Sequence, residues 1–466
     1  MAQVTVPRWA PAAGRPFSRR AWPIEVFAVD DNSVQLAWRG SPRAGLRIEV
    51  GGGVAHPVAS PQAELVVSVY RWRGAPPASG GDHYEQPGSG PRTGVERPEV
   101  RGKGGPGADV RARRDLAGLL HLSGTRVLDP AWPSGPGSVV IEGLSPATTY
   151  DIVASADGLP KFLAGRVTTV QPPEGRLLAQ LAAVTDIHIG EKHFGIWGRI
   201  WDQAALRPGS SPYPVRALTA ALAEAAAWGA DLIVAKGDLT RIATSGELST
   251  AGRILASSPV PVEAVLGNHD NALNVDMRAV LQASGIRLSW GPRALDLPGL
   301  RVVLVNTVHA DPRYHSGHLP PAAGLEVAEL AGEAPTPAMV VLHHPPEMHR
   351  YPTVYPPGIP FAESTALLEA LAARKPDSLL SCGHRHRNRR YSHGPLVIAE
   401  TGSTKDYPGV WAGYKVYETG LLQVVRRTSR PDVINWTETT RRAMNGQWGR
   451  WSPGRLGDRC FGVTWQ

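Results

Sequence analysis

The stretch Leu178-Ala179-Gln180-Leu181-Ala182-Ala183-Val184-Thr185-Asp186-Ile187-His188 runs from an apolar segment directly into an aspartate and a histidine. The apolar part is typical of a buried strand. Polar residues at the end of such a strand lie where open α/β folds place their sites. The same order of an apolar run and then ligand-type residues recurs at Gly237-Asp238, Gly267-Asn268-His269-Asp270, His343-His344-Pro345 and Gly383-His384-Arg385-His386. These blocks predict a ring of strand ends that carries metal ligands.

Strands alternate with helices on both sides of these blocks, after a linker at residues 171–175. Hydrophobic periodicity predicts strands at Leu178–Thr185, Leu232–Ala235, Val262–Leu266, Arg301–Val305, Met339–Leu342, Ser378–Ser381 and Leu396–Ala399. It predicts helices at Val215–Trp228, Glu247–Ala256, Ala322–Ala331 and Ala362–Arg374. The pattern indicates one large α/β domain over residues 178–418. The remaining segment, 419–466, is a polar tail with several tryptophans, which we expect to dock on that domain.

The first half of the chain is β-rich. After an N-terminal extension, 1–21, short apolar or alternating runs separated by Gly, Pro and Asp turns predict a β-sandwich over residues 22–170. The predicted strands are Ile24–Val29, Ser33–Trp38, Leu46–Val50, Leu65–Trp72, Val139–Leu144 and Tyr150–Ala154. The stretch Val139–Tyr150 resembles the Leu-x-Pro-x-Thr-x-Tyr turn of fibronectin type III domains. Residues 74–114 are rich in Gly, Pro and Arg, which predicts a disordered insertion.

The ligand-type residues suit a site for two divalent ions, in which one carboxylate bridges the pair. If the backbone at these strand ends is extended, Asp186 and His188 point to the same side, and so do His384 and His386. The alternation sends Arg385 and Arg387 to the opposite face, as solvent-exposed or structural groups. Asp238, after a glycine that permits close backbone approach, is the natural bridge, and Asn268 offers a neutral oxygen.

The ordered set Asp186-x-His188, Gly237-Asp238, Gly267-Asn268-His269-Asp270, His343-x-Pro345 and Gly383-His384-x-His386 resembles the calcineurin-like metallophosphoesterase superfamily. The resemblance covers about residues 178–418 and implies a four-layer αββα sandwich. It assigns Asp186, His188, Asp238 and His386 to the first metal, and Asp238, Asn268, His343 and His384 to the second. It selects His343 over His344, because the family ligand lies two residues before the proline.

The resemblance also implies a mechanism. A hydroxide that bridges two divalent ions (Mn, Fe, Zn or Co) attacks phosphorus in line, and His269, oriented by Asp270, assists the leaving group. A fibronectin-like domain before this core is similar to the arrangement in purple acid phosphatases. Their Tyr ligand is replaced by Arg241 here, which argues against a phenolate-bound ferric ion.

Two further motifs resemble class III cyclic-nucleotide phosphodiesterases. They are Gly237-Asp238-Leu239-Thr240 and His343-His344-Pro345-Pro346, and the turn Gly317-His318-Leu319 accompanies them. They favour hydrolysis of a cyclic nucleotide or a related small diester. A phosphomonoesterase or nucleotide phosphatase, a DNA nuclease and a non-catalytic metal-binding scaffold remain alternatives. The expected partner is a small phosphate ester.

Composition and charge limit the classes of protein that the sequence fits. The chain has 466 residues and a formal net charge of +8, and its hydropathy is that of a globular protein. The charge alone selects no partner, and without a groove-reading motif we expect no specific nucleic-acid binding. No apolar stretch predicts a membrane span or a secretory signal, so the expected location is cytoplasmic. Cys382 and Cys460 are the only cysteines, and neither is assigned a catalytic role.

Several loop residues are candidates for the lining of a substrate pocket. They are His193, His309, His315, His318 and His349, with Tyr351 and Tyr355 in a Pro-rich loop. Histidines in exposed loops often have no such role. The oligomeric state does not follow from the sequence.

Overall fold

A computed structural model describes residues 3–11, 24–39, 55–56, 66–72, 120–122, 126–127, 136–156, 159–195, 200–203 and 210–465. The chain forms two compact units. One comprises Met1–Val6 and Pro172–Gln466, and the other comprises Pro7–Gln171. The predicted strand Leu46–Val50 and the predicted insertion at 74–114 lie outside the described residues.

The described strands in chain order are β1 (Gln3–Thr5), β2 (Arg8–Pro11), β3 (Ile24–Val29), β4 (Ser33–Trp38), β5 (Ala55–His56), β6 (Val66–Trp72), β7 (Leu120–Leu122), β8 (Arg126–Val127), β9 (Gly137–Glu142), β10 (Thr149–Ala156), β11 (Leu159–Thr168), β12 (Leu177–Val184), β13 (His193–Phe194), β14 (Ile200–Trp201), β15 (Leu232–Lys236), β16 (Val262–Val265), β17 (Arg293–Leu297), β18 (Leu300–Leu304), β19 (Ala338–Val341), β20 (Ser378–Cys382), β21 (Arg389–His393), β22 (Leu396–Glu400), β23 (Val410–Tyr417), β24 (Gly420–Arg427) and β25 (Cys460–Thr464). The described α-helices are α1 (Tyr213–Ala227), α2 (Ser245–Ala256), α3 (Met277–Ala283), α4 (Pro321–Gly332), α5 (Phe361–Arg374), α6 (Pro431–Thr440), α7 (Trp448–Trp451) and α8 (Leu456–Arg459). Short 3₁₀ turns occur at Asn268–Asp270 and Met444–Gly446.

The unit Pro7–Gln171 is built from antiparallel sheets in its described part. One sheet has the order β2-β11-β10-β6-β7, with β8 also paired to β6, and the other has the order β3-β4-β9-β5. Buried side chains such as Trp38, Phe27 and Ile152 form its interior. The Tyr150 hydroxyl accepts a hydrogen bond from the backbone N–H of Ser145 at 2.8 Å.

The larger unit contains two mixed sheets. The first has seven strands in the order β1-β25-β24-β23-β12-β15-β16, and the second has six in the order β17-β18-β19-β20-β22-β21. Strands β12, β15 and β16 are parallel, and so are β18, β19, β20 and β22. The outer strand β1 comes from the predicted N-terminal extension, and β25 comes from the predicted tail. Both segments are strands of the first sheet.

Helices pack on each sheet through an apolar core. The core of the first sheet joins α1, α2 and α3 through residues such as Leu218, Leu248 and Leu281. The core of the second joins α4 and α5 through residues such as Val327 and Leu367. The mixed α/β class is therefore confirmed, and the predicted strands and helices of this unit agree to within about two residues at each end.

Side chains from the two sheets also meet each other. Lys236, on β15, donates hydrogen bonds to Ser381 Oγ at 2.9 Å and to Thr401 Oγ1 at 2.8 Å. Ser381 Oγ lies 2.7 Å from the hydroxyl of Tyr414 on β23. The buried ammonium is thus satisfied by groups of the opposite sheet, as a charge removed from water requires. This contact connects the strands that carry the candidate ligands.

Among the described helices, none combines the length and the apolar character needed to cross a membrane.

Candidate metal centre

The predicted ligands all follow parallel strands of the two sheets. Asp186 and His188 follow β12, Asp238 follows β15, Asn268 follows β16, His343 follows β19, and His384 and His386 follow β20. The carboxyl ends of parallel strands lie at one edge of a sheet. The structure brings these side chains into two adjoining clusters.

The first cluster contains Asp186, His188, Asp238 and His386. Each offers one ligand atom, and these atoms all lie within 4.8 Å of one another. Nε2 of His188 is 3.4 Å from Asp238 Oδ2, and Nε2 of His386 is 3.4 Å from Asp186 Oδ1. Two carboxylates and two imidazoles are a donor set that divalent transition metals accept.

The second cluster contains His343, His344 and His384, with ligand atoms again within 4.8 Å of one another. Asp238 joins it to the first, because Asp238 Oδ1 lies 3.3 Å from His343 Nε2. Asn268, predicted as an oxygen ligand, is buried, and its Nδ2 lies 3.2 Å from His315 Nδ1. His344 was not among the predicted ligands.

Atoms without partners test whether these residues suit a metal. Nε2 of His188, Nε2 of His343 and Oδ1 of Asn268 are buried and have no hydrogen-bond partner in the described part of the chain. Buried polar atoms are normally paired. Atoms left unpaired beside two carboxylates are placed as ligands are, so the residues fit a divalent ion.

The other ring nitrogen of the histidines is held by the protein. His343 Nδ1 lies 2.8 Å from the Lys236 carbonyl oxygen, and His384 Nε2 lies 3.0 Å from the Pro357 carbonyl oxygen. A carbonyl only accepts, so these ring nitrogens carry hydrogens and donate. The opposite nitrogen of each ring is then left for a ligand, as in many metal sites.

The backbone of the ligand loops differs from the prediction. Asp186, His188, Asp238, His384 and His386 have φ values of 52°, 52°, 49°, 72° and 50°. These values lie in the left-handed region rather than in extended conformation, so simple strand alternation does not account for the shared direction of the side chains. The extended prediction was wrong because the loops begin to turn immediately after the strands. Non-glycine residues adopt this region only when surrounding contacts hold them there.

Main-chain hydrogen bonds provide those contacts. The N–H groups of Ile187 and His188 both donate to the Asp238 carbonyl at 2.8 Å, and the His384 N–H donates to Asp186 Oδ1 at 3.0 Å. Gly237 has φ of +84°, and a Cβ there would lie 2.7 Å from His343 Nδ1. The glycine before Asp238 is therefore required by conformation and by space.

Burial and neighbouring charges set the protonation of the cluster. Burial, reinforced by Lys405, lowers the pKa of His188 to about 4, so this imidazole is neutral. Burial alone would lower the pKa of His343, but the Asp238 carboxylate outweighs it and raises the pKa to about 9. The pKa of His386 is raised, against burial, by Asp406 and Asp186. A metal that binds His343 therefore competes with a proton on that ring.

A group of supporting residues was missed by the sequence analysis. Asp406 Oδ2 lies 2.7 Å from His386 Nδ1, and Asp406 Oδ1 accepts from Trp448 Nε1 at 3.2 Å. Glu191 lies 3.7 Å from His188 Nδ1 and pairs with Lys405 at 2.7 Å. A sequence signal for Asp406 was present, since the run 401–406 directly follows the apolar strand Leu396–Glu400, as the ligand blocks follow theirs.

His269 and Asp270 do not make the predicted contact. His269 Nδ1 lies 2.8 Å from the Arg241 carbonyl oxygen. Asp270 instead accepts from the N–H groups of Leu239 at 3.0 Å, Thr240 at 2.8 Å and Gly267 at 2.9 Å. In this structure the imidazole is oriented by a main-chain carbonyl, and Asp270 holds together the loops that bear Asp238 and Asn268.

The two arginines of the Gly383–Arg387 segment are structural. Arg385 and Arg387 are both buried. Arg385 pairs with Glu347 and with Glu400, and Arg387 Nε lies 2.5 Å from Glu400 Oε2. Of the two roles predicted, solvent exposure does not apply.

The loop histidines divide by location. His315 reaches the centre, since it contacts Asn268 and its ring centroid is 6.0 Å from that of His269. His309 packs on Tyr314 at 4.4 Å, His193 on Trp201 at 4.8 Å, and His318 pairs with Glu363. Tyr351 and Tyr355 are 75% and 80% exposed, and His349 is exposed.

The family model for calcineurin-like phosphoesterases matches residues 179–388, the segment that carries all of these ligands. Residues 179–388 are a calcineurin-like phosphoesterase domain. This match supports a hydrolase activity on phosphate esters for that segment. Members of this family usually bind divalent metals, which agrees with the clusters described above.

Solved structures with similarity to this chain are distant from it. A protein described as a 5′-nucleotidase from Staphylococcus aureus is 14% identical with a TM-score of 0.36, and the match covers 53% of this chain and 51% of that one. The chain thus spans about half the length of that relative. PhoD is 9% identical with a TM-score of 0.35 and 89% coverage of both chains. The purple acid phosphatase PPD1 from yellow lupin is 10% identical with a TM-score of 0.37. The match covers 87% of this chain and 72% of that one.

No curated protein matches the chain. No function follows from structural similarities of this size.

Proposed function

We propose that the protein is a dinuclear metallophosphoesterase. Asp186, His188, Asp238 and His386 would hold one divalent ion, and Asp238, Asn268, His343 and His384 would hold the other. The observation that carries the proposal is the position of Asp238. Its Oδ2 faces His188 at 3.4 Å and its Oδ1 faces His343 at 3.3 Å, so one carboxylate has an oxygen for each cluster.

Two divalent ions in such a site supply Lewis acidity toward phosphoryl oxygens and lower the pKa of water. The protein residues contribute orientation and a proton. His269 Nδ1 donates to the Arg241 carbonyl, so Nε2 is the atom that can hold or give a proton. The backbone N–H of His269 donates to Asp238 Oδ1 at 2.9 Å, which ties the imidazole to the bridging carboxylate. We assign His269 as the group that protonates the leaving oxygen.

A small phosphodiester, such as a cyclic nucleotide, is the substrate class we favour. The supporting features are the Gly237-Asp238-Leu239-Thr240 and His343-His344-Pro345-Pro346 motifs, together with the turn at Gly317 that packs on His344. A phosphomonoester is the second candidate. A non-catalytic scaffold is the third, and it is disfavoured because none of the proposed ligands is missing and neither is His269.

The unit Pro7–Gln171 is proposed to be a fibronectin type III-like domain. Its described sheets are antiparallel, and Tyr150 OH accepts from the Ser145 N–H five residues upstream, as the tyrosine corner of such sandwiches does. We propose that it serves as an accessory domain.

The proposal is tested by hydrolysis of bis(p-nitrophenyl) phosphate and of p-nitrophenyl phosphate in the presence of Mn²⁺. Wild type is compared with Asp238→Ala and with Asp296→Ala, a control at an exposed aspartate of the same domain. Diester cleavage that is lost only in Asp238→Ala, together with bound metal, supports a two-metal phosphodiesterase. Activity on the monoester alone favours a phosphatase. Bound metal without activity on either ester favours the scaffold.

A further inference from the structure

His344 belongs to the second cluster, although the family pattern selects only its neighbour as a ligand. Its side chain is fully buried, and its ring centroid lies 4.5 Å from that of His384 and 4.8 Å from that of His343. One ring nitrogen of each of these residues lies within 4.8 Å of the other two. The arrangement is a group of imidazoles beside Asp238.

The orientation of His344 is held from two sides. Its Nδ1 lies 2.8 Å from Thr307 Oγ1, which also faces the His344 backbone N–H at 3.4 Å. Gly317 lies against the ring, and a Cβ at that position would be 2.7 Å from His344 Cβ. A side chain at position 317 would therefore displace the imidazole from the cluster.

Nε2 of His344 is the unused atom. It is buried and has no hydrogen-bond partner in the ranges that the structure describes. Leaving a buried nitrogen unpaired is unfavourable unless some group binds it.

We propose that His344 is a third imidazole ligand at the second metal position, beside His343 and His384. The inference rests on the proposed function, since it requires that the second position holds a metal. An additional nitrogen donor shifts the preference of this position toward Zn²⁺ and Co²⁺ and away from Mn²⁺ and Mg²⁺. The first position has two carboxylate ligands, so a larger share of its donor atoms are oxygens.

Two other roles for His344 predict different results. A purely structural imidazole would affect folding but leave the metal affinity and the metal spectrum of the folded protein unchanged. An imidazole that contacts only the substrate would alter KM and leave metal binding intact. Metal binding in the absence of substrate therefore separates the three roles.

The test uses Co²⁺ alone, titrated into metal-free protein and followed by calorimetry and by visible absorption. Variants are His344→Ala and His344→Gln, with His349→Ala as the matched control at an exposed histidine of the same loop. Wild type is expected to bind two Co²⁺ ions. His344→Ala should weaken one of them by at least about tenfold, a loss typical of removing a group that supports a metal, and should change the absorption bands. His349→Ala should match wild type.

Unchanged affinity and spectrum in a folded His344 variant would overturn the ligand role while leaving the dinuclear proposal intact. Absence of Co²⁺ binding in wild type would overturn both. If circular dichroism shows that His344→Ala is unfolded, His344→Gln decides, because its amide preserves a polar contact to Thr307 but supplies no imidazole. Competition between Zn²⁺ and Mn²⁺ gives an independent readout. The preference of the second metal position for Zn²⁺ over Mn²⁺ should fall in His344→Ala.

Discussion

The contacts of His269 allow its proposed role in proton transfer to be tested separately from metal binding. Its Nδ1 is held by the Arg241 carbonyl, and its link to Asp238 is made by the backbone N–H, which every substitution except proline retains. His269→Ala should therefore lower kcat by about 10² to 10⁴, the usual contribution of a general acid. Metal content should stay close to that of wild type.

Turnover measured with metal analysis on the same sample checks this expectation, with His393→Ala, at a partly exposed histidine at the end of β21, as the control. Loss of both metals in His269→Ala would show that the imidazole is a ligand rather than a proton donor. Unchanged kcat would remove it from the mechanism.

At this scale the sequence predicted the ligand types and their order, but not how each residue is held. The spacing of Asp186 and His188 indicates that the two act together, yet left-handed dihedrals depend on main-chain hydrogen bonds that no residue pattern encodes. The partner of His269 is a backbone carbonyl, which every residue possesses. Asp270 was given the wrong partner for that reason.

Among the elements, the short helix α7 supports the first cluster from the C-terminal segment. Trp448 donates to Asp406, and Asp406 in turn contacts His386 Nδ1 at 2.7 Å. Asp406→Ala should lower the affinity of the first position by about 10- to 100-fold, since the partner that orients the imidazole is lost. Trp448→Phe should have a smaller effect in the same direction.

Calorimetric titration with Mn²⁺ measures both changes. Trp290→Phe, at a tryptophan that is 48% exposed, is the control. Full Mn²⁺ affinity in Asp406→Ala would show that His386 is oriented by its other contacts alone.

Local patterns predicted the longer elements because each carries its own hydrophobic period, and α2 also has a capping box at Thr244 and Glu247. The pairing of β1 with β25 could not be predicted. A three-residue strand has almost no pattern, and its partner lies at the opposite end of the sequence, so only the tertiary structure assigns it.

For the whole molecule, the centre joins both sheets, so metal binding should stabilise the larger unit. A ligand at 100 times its Kd adds about 2.7 kcal/mol to the free energy of unfolding. The pKa of His343 is about 9 in the metal-free protein, so a proton competes with the metal at lower pH. The gain in Tm on adding Mn²⁺ should therefore be larger at pH 8 than at pH 6.

In the metal-free protein the contribution of His343 to stability should follow the opposite trend. A histidine whose folded pKa is raised contributes stability below its unfolded pKa of about 6.5, and loses it as the pH rises through about 9. Thermal melts with and without EDTA at the two pH values measure both trends, with Asp238→Ala as the variant that should not respond to Mn²⁺. An equal Mn²⁺ effect at both pH values would contradict the proton competition.

The chain order places the unit Pro7–Gln171 between β1 and β12, two strands of the same sheet. The sequence located the change from β-rich to α/β pattern near residue 172 because composition and period change there. It could not show that the residues before the β-rich unit form a strand in a sheet of the larger unit.

The left-handed dihedrals of Asp186, His188, Asp238, His384 and His386 bear on any attempt to transplant this centre into another protein. Placing the same side chains on regular strands or helices of a host scaffold would aim them elsewhere, however well their rotamers were chosen. A transplant must include the complete ligand loops, with their glycines and with the main-chain carbonyls that hold the ligands in place. A graft of residues 185–190, 236–241, 266–270, 342–345 and 382–388 carries that information, and a graft of side chains alone does not.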